Sequence, residues 1–221
     1  MICAFYGRAI VPPLFDLLAV EERMHVRKLL LQLLIGLGGH ATREAQLRLR
    51  DERWHVRRNT LYIIAESGVR LAPGLLEPLS VDSDPRVRLE CARCLVLAGE
   101  AAGVRTLRAL LHDPGEGVVD AAAATAGALG VTELLPDLVA LIKKPSAKDA
   151  LRQRLRIVRV LGQVGGERAA AALRELLTLR ISLFPRETKR FRSEVRRMIK
   201  RLDAKQPQAA TPVDAPPVGA P

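Results

Sequence analysis

Asp82-Ser83-Asp84-Pro85-Arg86-Val87-Arg88-Leu89-Glu90-Cys91-Ala92-Arg93-Cys94-Leu95-Val96-Leu97-Ala98-Gly99 reads as a turn, a proline-started helix and a glycine stop. Asp82 carries the side chain of a helix cap, Pro85 suits the first helical turn, and Gly99 offers the left-handed residue that ends a helix. Val87, Cys91, Cys94, Leu95 and Ala98 fall three or four apart, which puts one apolar face on the helix. The pattern recurs.

Glycines fall at Gly7, Gly38, Gly68, Gly99, Gly130 and Gly165, in steps of 31, 30, 31, 31 and 35. Twelve residues before the last five stand Val26, Val56, Val87, Val118 and Gln153. Seven before come Leu31, Leu61, Ala92, Ala123 and Val158, and four before come Leu34, Ile64, Leu95, Ala126 and Leu161. An acid precedes the valine by five in four copies (Glu21, Asp51, Asp82, Asp113), and an arginine follows it as Arg27, Arg57, Arg88 and Arg154. Val119 and Lys148 are the departures from that arginine and that acid. Between copies lies a shorter amphipathic segment: Pro12–Leu18, Arg43–Arg50, Gly74–Leu79, Gly103–Leu111, Thr132–Ile142 and Arg168–Leu177. Each unit is a helix pair that cannot bury its apolar face alone, so neighbours stack into one core. The expected fold is an all-α solenoid of about five to six stacked helix-turn-helix repeats of about 31 residues.

The Asp-x-x-x-x-Val-Arg pattern at Asp51, Val56, Arg57, at Asp82, Val87, Arg88 and, without its arginine, at Asp113, Val118 resembles the short HEAT-like repeats named after phycobilisome lyases. The likeness covers roughly residues 1–180. It implies that the valine helices line a concave side and that the Asp and Arg tie neighbouring turns together, with the ladder interrupted at Val119 and Lys148. The Trp-x-x-Leu-Gly and Thr-Pro-Leu-His signatures of tetratricopeptide and ankyrin repeats do not occur in the chain.

Composition narrows the class. Apolar residues make up 48% and aromatics 3% of 221, which suits helices packed closely through small and branched side chains. No apolar run approaches the roughly 18 residues of a membrane span, and Met1–Ile10 has no charged lead-in or cleavage pattern. Three cysteines without framework spacing fit a reducing compartment, so the expected location is cytoplasmic. The net charge of +11 is local: residues 1–150 hold 19 Lys and Arg against 18 Asp and Glu, residues 151–221 hold 16 against 6.

The repeat domain is expected to run over residues 1–203, with a partial first repeat at 1–20 and a basic capping helix at 186–203. A Pro/Ala-rich disordered tail follows at 204–221. Met1–Tyr6 reads as half a repeat helix with an apolar end, so the array looks N-terminally truncated and open to self-association through that uncapped end.

The resemblance turns Arg58, Asn59, Tyr62, Glu66, Glu90 and Arg93 toward a groove, where they are the candidates for holding a protein partner. The plainer alternative is that Trp54 and Tyr62 fill gaps between repeats while Asn59 caps or is solvated. Arg152, Arg156, Arg159, Lys189, Arg190, Arg192, Arg196 and Arg197 form a basic patch that is either a solvated cap or a surface for nucleic acid or another polyanion. Cys91 and Cys94 stand at core positions and read as fillers rather than as ligands.

Deoxyhypusine hydroxylases, which share this repeat type, hold iron with repeated His-Glu pairs. Here the histidines read His25-Val26, His40-Ala41, His55-Val56 and His112-Asp113. HEAT-type alkylpurine DNA glycosylases use aromatic residues and an acid, and this chain has one Trp and two Tyr. No phosphate loop, dinucleotide fingerprint or nucleophile elbow occurs in the sequence. The expectation is a non-catalytic protein without metal or cofactor that works by binding; the competing expectations are a nucleic-acid binder and a fragment of a HEAT-type enzyme.

Overall fold

The computed structural model describes residues 7–144, 150–179 and 184–204, with side chains from residue 9 onward. Met1–Tyr6, Lys148 and residues 205–221 of the expected tail lie outside them. The helices in order are α1 (Val11–Val20), α2 (Met24–Gly36), α3 (Gly39–Arg48), α4 (Trp54–Glu66), α5 (Pro73–Leu76), α6 (Pro85–Leu97), α7 (Ala101–Leu110), α8 (Val118–Ala128), α9 (Leu135–Lys143), α10 (Ala150–Val164), α11 (Gly166–Thr178) and α12 (Pro185–Asp203). Short 3-10 turns extend α5 and lead into α9. No strand occurs among the described residues. The fold is an all-α solenoid.

Two layers follow from the alternation. The helices that carry the repeated valine register stack on one another as α2, α4, α6, α8 and α10, and the shorter helices pack along them as a second layer. α12 closes the stack against both α10 and α11. The glycine ruler is conformational: Gly38, Gly68, Gly99, Gly130 and Gly165 all have positive φ, which a side chain resists. Gly99, at φ +81°, turns the chain out of α6 and into α7.

At the start of α6 the cap differs from expectation. Asp84, not Asp82, accepts the Arg86 N–H and caps the helix. Asp82 accepts instead from the Asp84 N–H and from Arg57 of the previous repeat. The reason is Pro85: it starts the helix at Asp84 and leaves Asp82 in the preceding turn, free to face its neighbour.

That neighbour contact is a ladder. Arg57 donates to both carboxylate oxygens of Asp82, at 2.7 and 2.9 Å, and to the carbonyls of Asp51 and Glu52 in its own turn. Arg88 repeats the arrangement one unit on, donating to Asp113 at 2.6 Å and to the carbonyls of Asp82 and Ser83. At the fourth copy Val119 takes the arginine's place and turns inward. It is buried, while Val118, expected as the inward valine, is only partly so. An apolar side chain at that position gains by burial what an arginine gains by pairing. In the fifth copy Gln153 and Arg154 are themselves buried, and Arg154 donates to the Ile142 carbonyl at 2.8 Å.

The core forms two clusters that meet at α6. Val87, Cys91, Cys94 and Leu95 pack with residues of α1 to α5, whereas Ala92 packs with Leu107, Leu110 and the helices that follow. Each fully buried Leu or Phe in either cluster stabilises by about 1.5–3 kcal/mol.

Candidate binding face at the α4–α6 junction

α4 and α6 place Arg58, Tyr62, Glu66, Glu90 and Arg93 together on a surface that the other described residues leave partly exposed. Tyr62 lies between two guanidiniums, with Arg58 Cζ 5.6 Å and Arg93 Cζ 5.7 Å from its ring centroid. Arg58 reaches Glu90 Oε1 at 3.4 Å across the repeat boundary. Arg93 pairs back to Glu66 and sits 3.7 Å from Glu90 Oε2. Two arginines and two carboxylates thus hold one aromatic ring, and the charges balance.

Glu90 is the most buried of these acids, with its side chain 13% exposed. Burial pushes its pKa above the ordinary value even though Arg58 and Arg93 pull the other way. Asn59 is where expectation and structure part. It is 2% exposed and cannot reach a partner in a groove. Its Oδ1 accepts from Arg58 Nη1 and its Nδ2 has no hydrogen-bond partner among the described residues. The sequence marked Asn59 as polar and therefore outward. Its helical angle decides otherwise.

The basic candidates divide. Arg156 pairs with Asp120, and Arg159 and Arg197 share Glu194, so these three are already paired. Lys189, Arg192, Arg196 and Lys200, spaced three, four and four along α12, point away from its buried Phe191, Val195, Met198 and Leu202. None of those four has an ion pair among the described residues. Arg190 flanks that stripe, and Arg152 is exposed on α10.

Elsewhere, Trp54 is stacked under Arg86, whose Cζ lies 3.3 Å from the ring centroid, so it does fill an inter-repeat gap. His55 Nε2 lies 3.2 Å from the Ala19 carbonyl. Cys91 and Cys94 are buried, and burial pushes both thiols up to about 12. Among the described residues no three of His, Cys, Asp and Glu come together as a metal site would need, and no helix is long and apolar enough to cross a membrane.

A family model of HEAT repeats matches residues 42–126 and 72–156, which together span more than half of the chain. The chain belongs to the HEAT-repeat family. The HEAT array is similar in fold to an engineered protein solved by crystallography, at 17% identity and a TM-score of 0.48 over 86% of this chain and 90% of that one. It is also similar to human deoxyhypusine hydroxylase solved with glycerol, at 21% identity and a TM-score of 0.43 over 90% of this chain and 75% of that one. No curated protein matches the sequence. The α4–α6 face lies within the matched HEAT repeats, and α12 lies beyond them.

Proposed function

We propose that this HEAT array is a non-catalytic cytoplasmic scaffold that holds a protein partner on the partly exposed face of α4 and α6. The observation that carries the proposal is Tyr62 held between Arg58 and Arg93. Tyr and Arg are the residue types that dominate binding energy at interfaces, and a ring already fixed by its neighbours loses little freedom on binding. HEAT repeats generally serve protein interaction, which agrees with this use of the surface.

A photo-reactive residue in place of exposed Glu66 is expected to crosslink one defined protein in cells. Tyr62→Ala in the same chain is expected to weaken capture about thirtyfold or more, the loss typical of an anchoring side chain. The same photo-reactive residue in place of Arg105 on α7 serves as the control surface. A folded Tyr62→Ala chain that crosslinks as well as the parent removes this face from consideration.

A second reading, nucleic-acid binding, is favoured by one observation: the outward stripe Lys189, Arg192, Arg196 and Lys200 on α12, which has no ion pair among the described residues. If those four cations each neutralise a phosphate, affinity for labelled duplex DNA falls about 10²-fold between about 50 and 200 mM salt. Arg192→Glu with Arg196→Glu then abolishes binding. Weak binding, or binding indifferent to those changes, leaves α12 as the charged end cap of the array.

A further inference from the structure

Two of the arginines that follow the register position grip an acid in the turn that opens the next unit: Arg57 holds Asp82, and Arg88 holds Asp113. Arg27 makes no such pair among the described residues, but it is only half-buried. Arg154 stands at the same place on α10, after Gln153, and it is 5% exposed. Its Nε donates to the Ile142 carbonyl, whereas Nη1 and Nη2 meet no acceptor among the described residues.

The next helix explains the gap. α10 packs on α12, which closes the stack. α12 opens with Pro185-Arg186 as α6 opens with Pro85-Arg86, but three residues before the proline the sequence has Ser182 where α6 has Asp82. No acid occurs between Glu175 and Glu187. Glu187 acts on Arg154 through space, yet its Oε2 is turned to the Phe184 N–H, from which it accepts at 3.3 Å. Burial pulls the Arg154 pKa below the ordinary arginine value, with Glu187 opposing, and a guanidinium stays charged all the same. A buried cation with its fork unfilled is costly.

We infer that Arg154 is a binding site for a small oxyanion from solution, a carboxylate or a phosphate, which completes the rung whose acid the chain does not encode. The fork of a guanidinium fits two oxygens of either group. Arg57 shows that fit within this fold, bonding both oxygens of Asp82 at 2.7 and 2.9 Å. With so little of Arg154 exposed, a folded partner or a duplex cannot grip it, so the ligand is small. Arg154 belongs neither to the Tyr62 face nor to the outward stripe of α12, and its failure as a site would leave both readings of the function untouched.

Thermal unfolding followed by circular dichroism is the test, with inorganic phosphate or acetate replacing chloride at constant ionic strength. The parent chain is expected to melt about 5–10 °C higher when the anion stands at about a hundred times its dissociation constant, and the response saturates. Arg154→Met, which fills much of the same space without a charge, is expected to lose the saturating response. Glu187→Gln keeps a capping side chain on α12 and removes a repelling charge, so it is expected to bind the anion severalfold more tightly. A larger shift with acetate assigns a carboxylate, and a larger one with phosphate assigns a phosphate.

Three results would overturn the inference. One is a parent chain indifferent to both anions. Another is stabilisation that climbs without saturating and persists in Arg154→Met, as general exclusion of salt from the surface would give. The last is a Glu187→Gln chain that melts lower and ignores the anions, which would make Glu187 the counter-ion.

Discussion

Gly103→Leu is expected to abolish cooperative unfolding of the array as one unit. Gly103 is buried on α7, and a Cβ there would lie 2.6 Å from the Val96 backbone nitrogen and 2.8 Å from the Ala92 carbonyl oxygen. Both obstacles are backbone, so no rotamer change relieves them. α7 would have to move off α6. Even Gly103→Ala is expected to cost about 2 kcal/mol, since overpacking of about 3 outweighs the roughly 1 that alanine gains in a helix.

The place of the contact enlarges the effect. α6 is where the two core clusters meet, and α7 is the first helix packed across that seam. In a stacked array each unit is held only by its neighbours, so a lesion here separates two halves rather than weakening one. Thermal unfolding followed by circular dichroism is expected to split into two steps in Gly103→Leu. Gly36→Ala is the opposite control. Gly36 is helical and exposed with nothing within 4 Å of an added Cβ, so that change stabilises by about 0.5–1 kcal/mol.

Asp82→Ala is expected to cost about 3 kcal/mol. The carboxylate is 7% and its partner Arg57 13% exposed, so removing the acid leaves a largely buried guanidinium with only carbonyls for partners. By contrast Arg53→Ala, which opens the more exposed Asp51 pair, is expected to cost under about 1 kcal/mol.

The pH dependence has a definite sign. Burial alone would raise the Asp82 pKa, but the Arg57 guanidinium and the Asp84 N–H outweigh it and hold the carboxyl below the usual carboxylate range. Asp51, held mainly by Arg53, is lowered to about 2. A carboxylate lowered in the folded state contributes stability that is complete above its unfolded value and lost as pH falls through the folded one. Denaturant midpoints of the parent chain are therefore expected to fall between about pH 4 and pH 2. Asp82→Asn flattens that slope.

Much of this was legible in the sequence because each signal had one physical cause. The glycines at 30 to 35 residues mark positive φ, and five of them show it. The apolar registers mark burial, and Leu34, Leu61, Ala92 and Leu95 are all buried. The acid and arginine flanking each valine pointed to the Arg57–Asp82 and Arg88–Asp113 bridges.

What escaped depends on a second helix. The outward reading of Asn59 failed because burial is set by the helices packed against α4, which the polarity of one side chain does not record. The pairings of Arg156 with Asp120 and of Arg159 with Glu194 join charges far apart in the chain, so these two arginines looked free although each is held. Gly103 carried no mark to separate it from glycines that only turn the chain. Its signal lies in the Ala92 and Val96 backbone opposite it.

The ladder that stops at Val119 has a mechanical meaning. Two charged rungs, Arg57–Asp82 and Arg88–Asp113, pin the turns as far as Asp113, and beyond them α8 packs through buried Ala122, Ala123 and Ala126, with the Arg156–Asp120 pair to α10 in place of a rung. Small apolar contacts resist separation but slide at low cost, whereas a rung such as Arg57–Asp82, bonded through both carboxylate oxygens, resists both. Under a load applied across the stack, the repeats joined by those two rungs are expected to slide less than the alanine-lined contacts of α8. The alanine-rich helix is the spring of the array.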